Sequence, residues 1–300
     1  MRRNKFFILV VNLFSLSLAS VVLISTLEAK TAVQKAEYVG SETCLECHEE
    51  VGKAFQKTIH GRLADFETKG SVSGCEACHG PGSIHVEEED PAKIIRLKEL
   101  TPAEAGEICL KCHRSGLQMN WPGSSHELSG VSCTSCHDPH AIAKKQLIKK
   151  DPELCYGCHA NKRAQMNYPS HHPLREKKMN CSSCHDSHGG GEGNLKAETL
   201  NELCLGCHAE KQGPFSFEHI PVVENCAICH DPHGSIANHL QRQTEPFLCM
   251  QCHTGHEDGH HPAVRNKNWH ISFFTKCTQC HSQIHGSDNP TFSGSGRFIR

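Results

Sequence analysis

The sequence predicts an elongated, repetitive chain of coil and short α-helices with little or no sheet, built around bound groups in place of an apolar core. Three observations carry that prediction. Hydrophobic residues make up only 37% of the 300 residues and aromatics 6%. Cysteine and histidine are far in excess, at 20 and 25 copies. The cysteines also recur at a regular internal period, as stacked repeat architectures do. With 31 Lys+Arg against 33 Asp+Glu, the net charge of −2 speaks against a basic nucleic-acid binder.

The chain opens with Arg2, Arg3 and Lys5, continues through an apolar run from Phe6 to Leu27, and reaches the small residue Ala29. A positive start, an apolar middle and a small-residue exit describe an export signal over residues 1–29, with an uncleaved anchor as the alternative. Residues 30–300 then form one elongated domain outside the inner membrane. No later segment is apolar enough to cross a bilayer as a helix.

An exported, cysteine-rich chain invites a disulfide framework, but the spacing points elsewhere. Every cysteine belongs to a CxxC pair followed at once by histidine: Cys44/Cys47/His48, Cys75/Cys78/His79, Cys109/Cys112/His113, Cys133/Cys136/His137 and Cys155/Cys158/His159. The series continues with Cys181/Cys184/His185, Cys204/Cys207/His208, Cys226/Cys229/His230, Cys249/Cys252/His253 and Cys277/Cys280/His281. CxxCH is the attachment site of c-type haem. Two thiols three residues apart form thioethers to the two vinyl groups, and the adjacent imidazole meets one face of the iron. Zinc would pair one CxxC with another and gives no reason for a histidine after each. Ten motifs predict ten covalent haems, whose macrocycles supply the apolar surface the side chains lack.

The second axial ligand follows from counting. Beyond Met1 only Met119, Met166, Met179 and Met250 remain, too few for ten irons, whereas fifteen histidines lie outside the motifs. His126, His219 and His270 each lie seven residues before an even-numbered motif, and His172 lies nine before. His140, His188, His233 and His285 follow these motifs in CHDPH, CHDSH, CHDPH and CHSQIH. His60 and His85 flank the second motif more loosely. The chain thus divides into five two-haem repeats, approximately 44–108, 109–154, 155–203, 204–248 and 249–300, each with two motif histidines and two extra ones. The spacing leaves open which extra histidine serves which iron. His171 competes with His172, and His256, His260 and His261 compete with His270; a separate metal site within 253–270 is a further alternative. His239 reads as a surface residue.

Between the motifs, Ala92–Leu100, Pro102–Leu110 and Glu198–Leu205 have helical composition, with Thr101-Pro102 a good helix start. Other connections are rich in Gly, Pro, Ser and Asn. Glu87–Asp90 reads as a solvated acidic turn, with a docking patch for a positive partner as the alternative.

The ten motifs, CEACHGPGSIH at 75–85, CHDPHG from Cys229, ELCLGCHAEKQGPFSFEHIPVVENCAICH and the closing CTQCHSQIHGS resemble the periplasmic decahaem cytochromes of the MtrA/DmsE family. The resemblance spans essentially the whole chain after the signal. It implies bis-histidine haems arranged as a wire and inserted in an outer-membrane β-barrel porin. It also implies a periplasmic or inner-membrane cytochrome donor and an outer-surface multihaem cytochrome beyond the barrel. The expected function is electron transfer between the periplasm and the cell exterior, with no catalytic residue. Two other classes compete: a multihaem reductase of a small nitrogen or sulfur oxyanion, which needs an open iron, and a diffusing periplasmic shuttle.

Overall fold

The computed structural model describes residues 35–64, 74–142, 146–253, 275–289 and 298. Among them the chain forms short α-helices, single 3-10 turns and coil, with no sheet and only isolated bridges. No helix among them is long and apolar enough to cross a membrane. They group into two compact modules. One holds the described residues up to Gly52 and those between Gly61 and Arg96; the other holds 53–60 and the described residues from Leu97 onward.

The apolar core made by side chains is small: among the described residues only Ala105, Trp121, Met166, Leu174 and Ala237 are buried hydrophobics. Hydrogen-bonded polar groups take over part of its role. In the first module α1 (Ser41–Cys47) begins beside the buried carboxylate of Glu76, which lies in α4 (Glu76–His79) after α2 (Glu49–Phe55) and α3 (Ile59–Ala64). Its oxygens accept from the backbone N–H groups of Val39 (3.0 Å), Gly40 (2.8 Å) and Gly82 (2.9 Å). Three amide donors offset the cost of burying a charge. In α5 (Ser83–Glu88) the chain ends with Glu89 left-handed. Asp90 then caps Ala92, and Glu88 pairs with Lys93 at 3.5 Å, so the acidic run Glu87–Asp90 is the exposed end of α5 and the coil after it rather than a separate turn.

In the second module α6 (Pro102–Leu110) coincides with the expected helix. Thr101 caps it through a capping box with Glu104, and Pro102 sits at the first helical position. The expected helix at Glu198–Leu205 forms as Leu200–Leu205 behind the same kind of box, Thr199 with Glu202. Ala92–Leu100 does not form a helix. It contains two 3-10 turns, Pro91–Lys93 and Leu97–Glu99, around an extended Ile94. The reason is tertiary: Ile95 donates its N–H to the His79 carbonyl (3.0 Å) and accepts from His79 Nδ1 (2.8 Å), which pulls the segment out of helical register.

Candidate haem sites

All ten CxxCH segments fold alike. In each, the histidine N–H donates to the carbonyl of the first cysteine, at 2.8–3.0 Å. That bond closes one helical turn, and residues i, i+3 and i+4 of such a turn share a face. Both sulfurs and the imidazole therefore face the same side, which is the arrangement a doubly attached macrocycle requires. The turns are α4 and α7 (Cys133–Cys136) in two even-numbered motifs and 3-10 turns at Cys181–Ser183, Cys226–Ile228 and Cys277–Gln279 in the other three.

Opposite eight of the motif histidines stands a second imidazole. The pairs, with ring-centre separations, are His48/His85 (6.2 Å), His60/His113 (5.9 Å), His126/His159 (6.1 Å) and His137/His188 (6.1 Å). The others are His172/His208 (6.4 Å), His185/His233 (6.0 Å), His219/His253 (6.1 Å) and His230/His285 (6.2 Å). A metal–imidazole bond of about 2.0 Å on each side, plus about 1.2 Å from nitrogen to ring centre, puts two axial rings about 6.4 Å apart. The residues present therefore fit one iron between each pair. Seven of the eight pairs join neighbouring repeats; only His48/His85 lies within one.

The second ring nitrogen is tied off in many of these imidazoles. Nδ1 bonds a backbone carbonyl in His79 (Ile95), His85 (Asp90, 2.9 Å), His126 (Ser187, 2.9 Å), His172 (Pro232, 2.7 Å), His185 (Gly193, 2.9 Å) and His230 (His239, 2.8 Å). A carbonyl only accepts, so Nδ1 carries the proton and Nε2 keeps the lone pair a metal needs. In CHDPH and CHDSH the aspartate accepts from the backbone N–H two residues on: Asp138 from His140 (2.9 Å), Asp186 from His188 (3.1 Å) and Asp231 from His233 (3.1 Å). Asp186 Oδ1 also lies 3.3 Å from His188 Nδ1. Burial holds His60, His219, His230 and His233 below the usual imidazole value and His285 down to about 4, which favours the neutral, metal-binding form.

Of the remaining candidates, His140 lies edge-on to Phe55 at 6.0 Å. His270 and its rivals His256, His260 and His261 lie outside the described residues. His171 is engaged elsewhere: its Nδ1 bonds the Tyr168 carbonyl (2.6 Å), and its Nε2 meets Arg175 Nε (3.2 Å) and Glu176 (3.3 Å). It is His172 that faces a motif histidine. The His239 side chain is exposed, yet its carbonyl holds His230.

The attachment cysteines also meet one another. In every repeat the first cysteines of the two motifs interact: Cys44 with Cys75, Cys109 with Cys133, Cys155 with Cys181, Cys204 with Cys226 and Cys249 with Cys277. Between repeats, the thiols of Cys136, Cys184 and Cys229 are raised first by burial and then by Cys155 with Cys158, Cys207 and Cys252 respectively. From the third motif to the tenth, consecutive sites are thus neighbours in chain order.

The motifs read as ten equivalent sites in the sequence, but their second cysteines are not equivalent in the structure. Those of the odd motifs, Cys47, Cys112, Cys158, Cys207 and Cys252, are exposed, whereas Cys78, Cys136, Cys184 and Cys229 of the even motifs are half-buried. Cys280, in the tenth motif, departs from the other even ones and is exposed. The physical reason for the rule lies in the repeat junctions: Cys136, Cys184 and Cys229 each lie against the odd motif of the next repeat, which shields them. The backbone of these turns does not vary with exposure. The N–H groups of Cys78, Cys112 and Cys280 donate to the carbonyls of Cys75 (3.2 Å), Cys109 (3.2 Å) and Cys277 (3.1 Å), so all three hold their place in the attachment turn.

Two kinds of residue at these junctions escaped the sequence reading. Gly189, Gly234 and Gly286 each follow an extra histidine with φ of +125, +149 and +144°. A Cβ at Gly189 or Gly234 would sit 2.3 Å from the carbonyl oxygen of Asn120 or Gln165 in the preceding repeat. The recurrent His-Gly in the sequence was the available signal. The other kind comprises polar residues three or four positions before an odd motif's first cysteine, among them Ser41, Asp151, Asn201 and Glu245.

Ten haem-attachment turns, paired imidazoles and little sheet define a multihaem c-type cytochrome, an electron-transfer protein. Family models agree: the doubled CXXCH motif matches residues 126–164, 171–213 and 219–258, and cytochrome c554 and c-prime matches 83–138. The chain is 36% identical over 283 residues to the multihaem cytochrome MtrA of Shewanella baltica, covering 89% of this chain and 84% of that one. The chain belongs to the MtrA family. It is also 26% identical over 116 residues to the high-molecular-weight cytochrome c of Nitratidesulfovibrio vulgaris, covering 39% of this chain and 17% of that one. A solved undecahaem cytochrome from the S-layer of Carboxydothermus ferrireducens, 19% identical, overlaps 73% of this chain and 40% of its own at a TM-score of 0.13, too low to carry an argument.

Proposed function

We propose that this chain is a decahaem electron conduit between the periplasm and the cell exterior, held in an outer-membrane β-barrel. The observation that carries this reading is the matched imidazole pairing, which at eight of the ten motifs would close both faces of an iron and leave no coordination position for a substrate. Residues 1–29 export the chain, and 30–300 form the five-repeat domain. The motif histidines His48, His79, His113, His137, His159, His185, His208, His230, His253 and His281 are the proximal ligands. His60, His85, His126, His172, His188, His219, His233 and His285 are distal ligands on the pairings above, and His140 and His270 complete the ten.

A c-type haem bound in this way supplies a one-electron iron couple whose potential depends on ligand, burial and hydrogen bonding. The chain's own residues do the rest. The cysteine pairs place successive attachment sites side by side, the Nδ1 bonds fix the tautomer of six imidazoles, and crossed histidines tie each repeat to its neighbour. Kinship with MtrA supports the periplasmic location, the porin partner, a cytochrome donor and an outer-surface cytochrome.

The test is low-temperature EPR of the oxidised protein with haem quantified in the same sample, followed by co-purification with the outer-membrane fraction. Ten haems with only low-spin signals and a barrel partner are expected. A stoichiometric high-spin iron that shifts on adding nitrite or sulfite would replace the conduit with a reductase, and a chain that never meets a barrel would be a shuttle.

A further inference from the structure

In four repeats one polar side chain near the odd motif reaches across to the backbone of the even motif. Ser41 Oγ accepts from Cys75 N–H (3.1 Å) in repeat 1, and Asn201 Oδ1 from Cys226 N–H (2.8 Å) in repeat 4. Asp151 accepts from Cys181 N–H and Ser182 N–H (both 2.9 Å) just ahead of the odd motif of repeat 3. Glu245 accepts from Thr278 N–H (2.9 Å) and the Thr278 hydroxyl (3.0 Å) ahead of the odd motif of repeat 5. The mechanical task is the same, capping the even motif's turn against the odd motif. The charge is not the same.

The two carboxylates also lie beside the first haem-attachment sulfurs of both motifs. Oxygen and sulfur atoms of Asp151, Cys155 and Cys181 all lie within 4.8 Å of one another, as do those of Glu245, Cys249 and Cys277. In the haem-loaded protein those sulfurs would be thioethers, which would put Asp151 near the attached edges of the two haems of repeat 3 and Glu245 near those of repeat 5. Repeat 1 is a poor comparison because Glu76 also acts on Cys44. Repeat 4 is a good one: the groups acting on Cys204 are cysteines only, and the cap is the neutral Asn201.

We propose that Asp151 and Glu245 are redox-positioning residues that hold the haem pairs of repeats 3 and 5 at lower potential than the pair of repeat 4. The ferric iron carries one more positive charge than the ferrous, so a fixed anion stabilises the oxidised form. Burial alone would raise both carboxyls. The N–H groups of Ser182 and Cys181 in one case, and of Thr278 with the Gln241 amide in the other, hold them below their ordinary values, so both are anionic at neutral pH. Lys276 also acts on Glu245 and offsets part of its charge, so the effect is larger at Asp151. The conduit then steps between lower- and higher-potential pairs along the chain. This inference rests on the decahaem conduit reading.

The test uses near-isosteric substitutions that keep one capping oxygen and change the charge: Asp151→Asn, Glu245→Gln and the reciprocal Asn201→Asp, the last of which also gives up the amide's bonds to the Val222 and Val223 carbonyls. Haem content is measured first, then each full-length holoprotein is titrated by spectropotentiometry. Asp151→Asn should move two of the ten haems upward by at least threefold in their reduction equilibrium, about 28 mV for a one-electron couple. Glu245→Gln should do so less, and Asn201→Asp should move two haems downward. Fully loaded variants that all titrate as the wild type overturn the proposal. So does a shift produced by Asp151→Ala but not by Asp151→Asn, which would make the residue a cap alone. If Asp151→Asn loads poorly, Glu245→Gln decides. A wild-type chain short of ten haems sinks the conduit reading and this inference together, whereas full loading with unmoved titrations sinks only this one.

Discussion

Replacing His188 by alanine separates ligation across repeats from ligation within them. His188 lies in repeat 3, but its ring stands 6.1 Å from His137 of repeat 2, the two planes inclined by 15°. The motif histidines of its own repeat, His159 and His185, face His126 and His233. Removing the imidazole therefore opens one iron in ten, the one beside His137, and leaves both irons of repeat 3 closed. The expected spectrum loses one low-spin centre in ten and gains one high-spin centre that binds one equivalent of cyanide. Its class is also specified. Near-parallel imidazole planes split the iron d orbitals and give a rhombic signal, while near-perpendicular planes leave them almost degenerate and strongly anisotropic. His188→Ala should remove a rhombic signal. His126→Ala should remove an anisotropic one, because His126 and His159 cross at 73°. A smaller effect should follow as well: the Ser187 carbonyl beside His188 holds His126 Nδ1, and loosening such outer contacts at metal sites typically costs about 10–100-fold in affinity or activity. Two high-spin irons, none, or loss of the same signal class in both variants would refute crossed ligation.

Three further outcomes are expected. Gly234→Ala puts a Cβ against the Gln165 carbonyl at a φ of +149° and should destabilise the holoprotein by more than about 1 kcal/mol in urea, whereas the open Gly191 should tolerate alanine. Thr101→Ala removes the cap of α6 and should cost about 1 kcal/mol by the same measurement, with Thr101→Ser nearly neutral. Asp151 and Glu245 lie below their ordinary values of 3.8 and 4.5 when folded, so their stabilising contribution is full above those values and is lost as pH falls through the lower folded ones. Stability measured from about pH 5 to pH 3 should decline, and the Asp151→Asn, Glu245→Gln double variant should show a flatter decline.

What was legible in the sequence was whatever a short stretch of chain determines alone. A CxxCH turn is closed by one i to i+4 hydrogen bond, so ten motifs read from spacing are ten such turns in the structure. The helix at Pro102–Leu110 was legible for the same reason, since Thr101, Pro102 and Glu104 form its start within four residues. The placement of the extra histidines around the even motifs, periodic for six and looser for His60 and His85, picked out eight imidazoles that the structure sets opposite motif histidines, without saying which faces which. Only the tertiary structure decided those pairings. His137 and His188 are 51 residues apart and belong to different repeats, and no local pattern specifies which of two equivalent loops crosses a junction. Exposure of the second cysteines was equally beyond the motif, since Cys112 and Cys136 share one spacing but only Cys136 is covered by the next repeat. Choosing His172 over His171 likewise depended on Tyr168 and Arg175 engaging one ring and on the Pro232 carbonyl and His208 meeting the other. Ala92–Leu100 has helical composition but yields to its bonds with His79. Local hydrogen bonds set the attachment turns because their partners are covalently close; the crossing ligands and charged caps are set only when neighbouring repeats pack and bring distant residues within bonding distance.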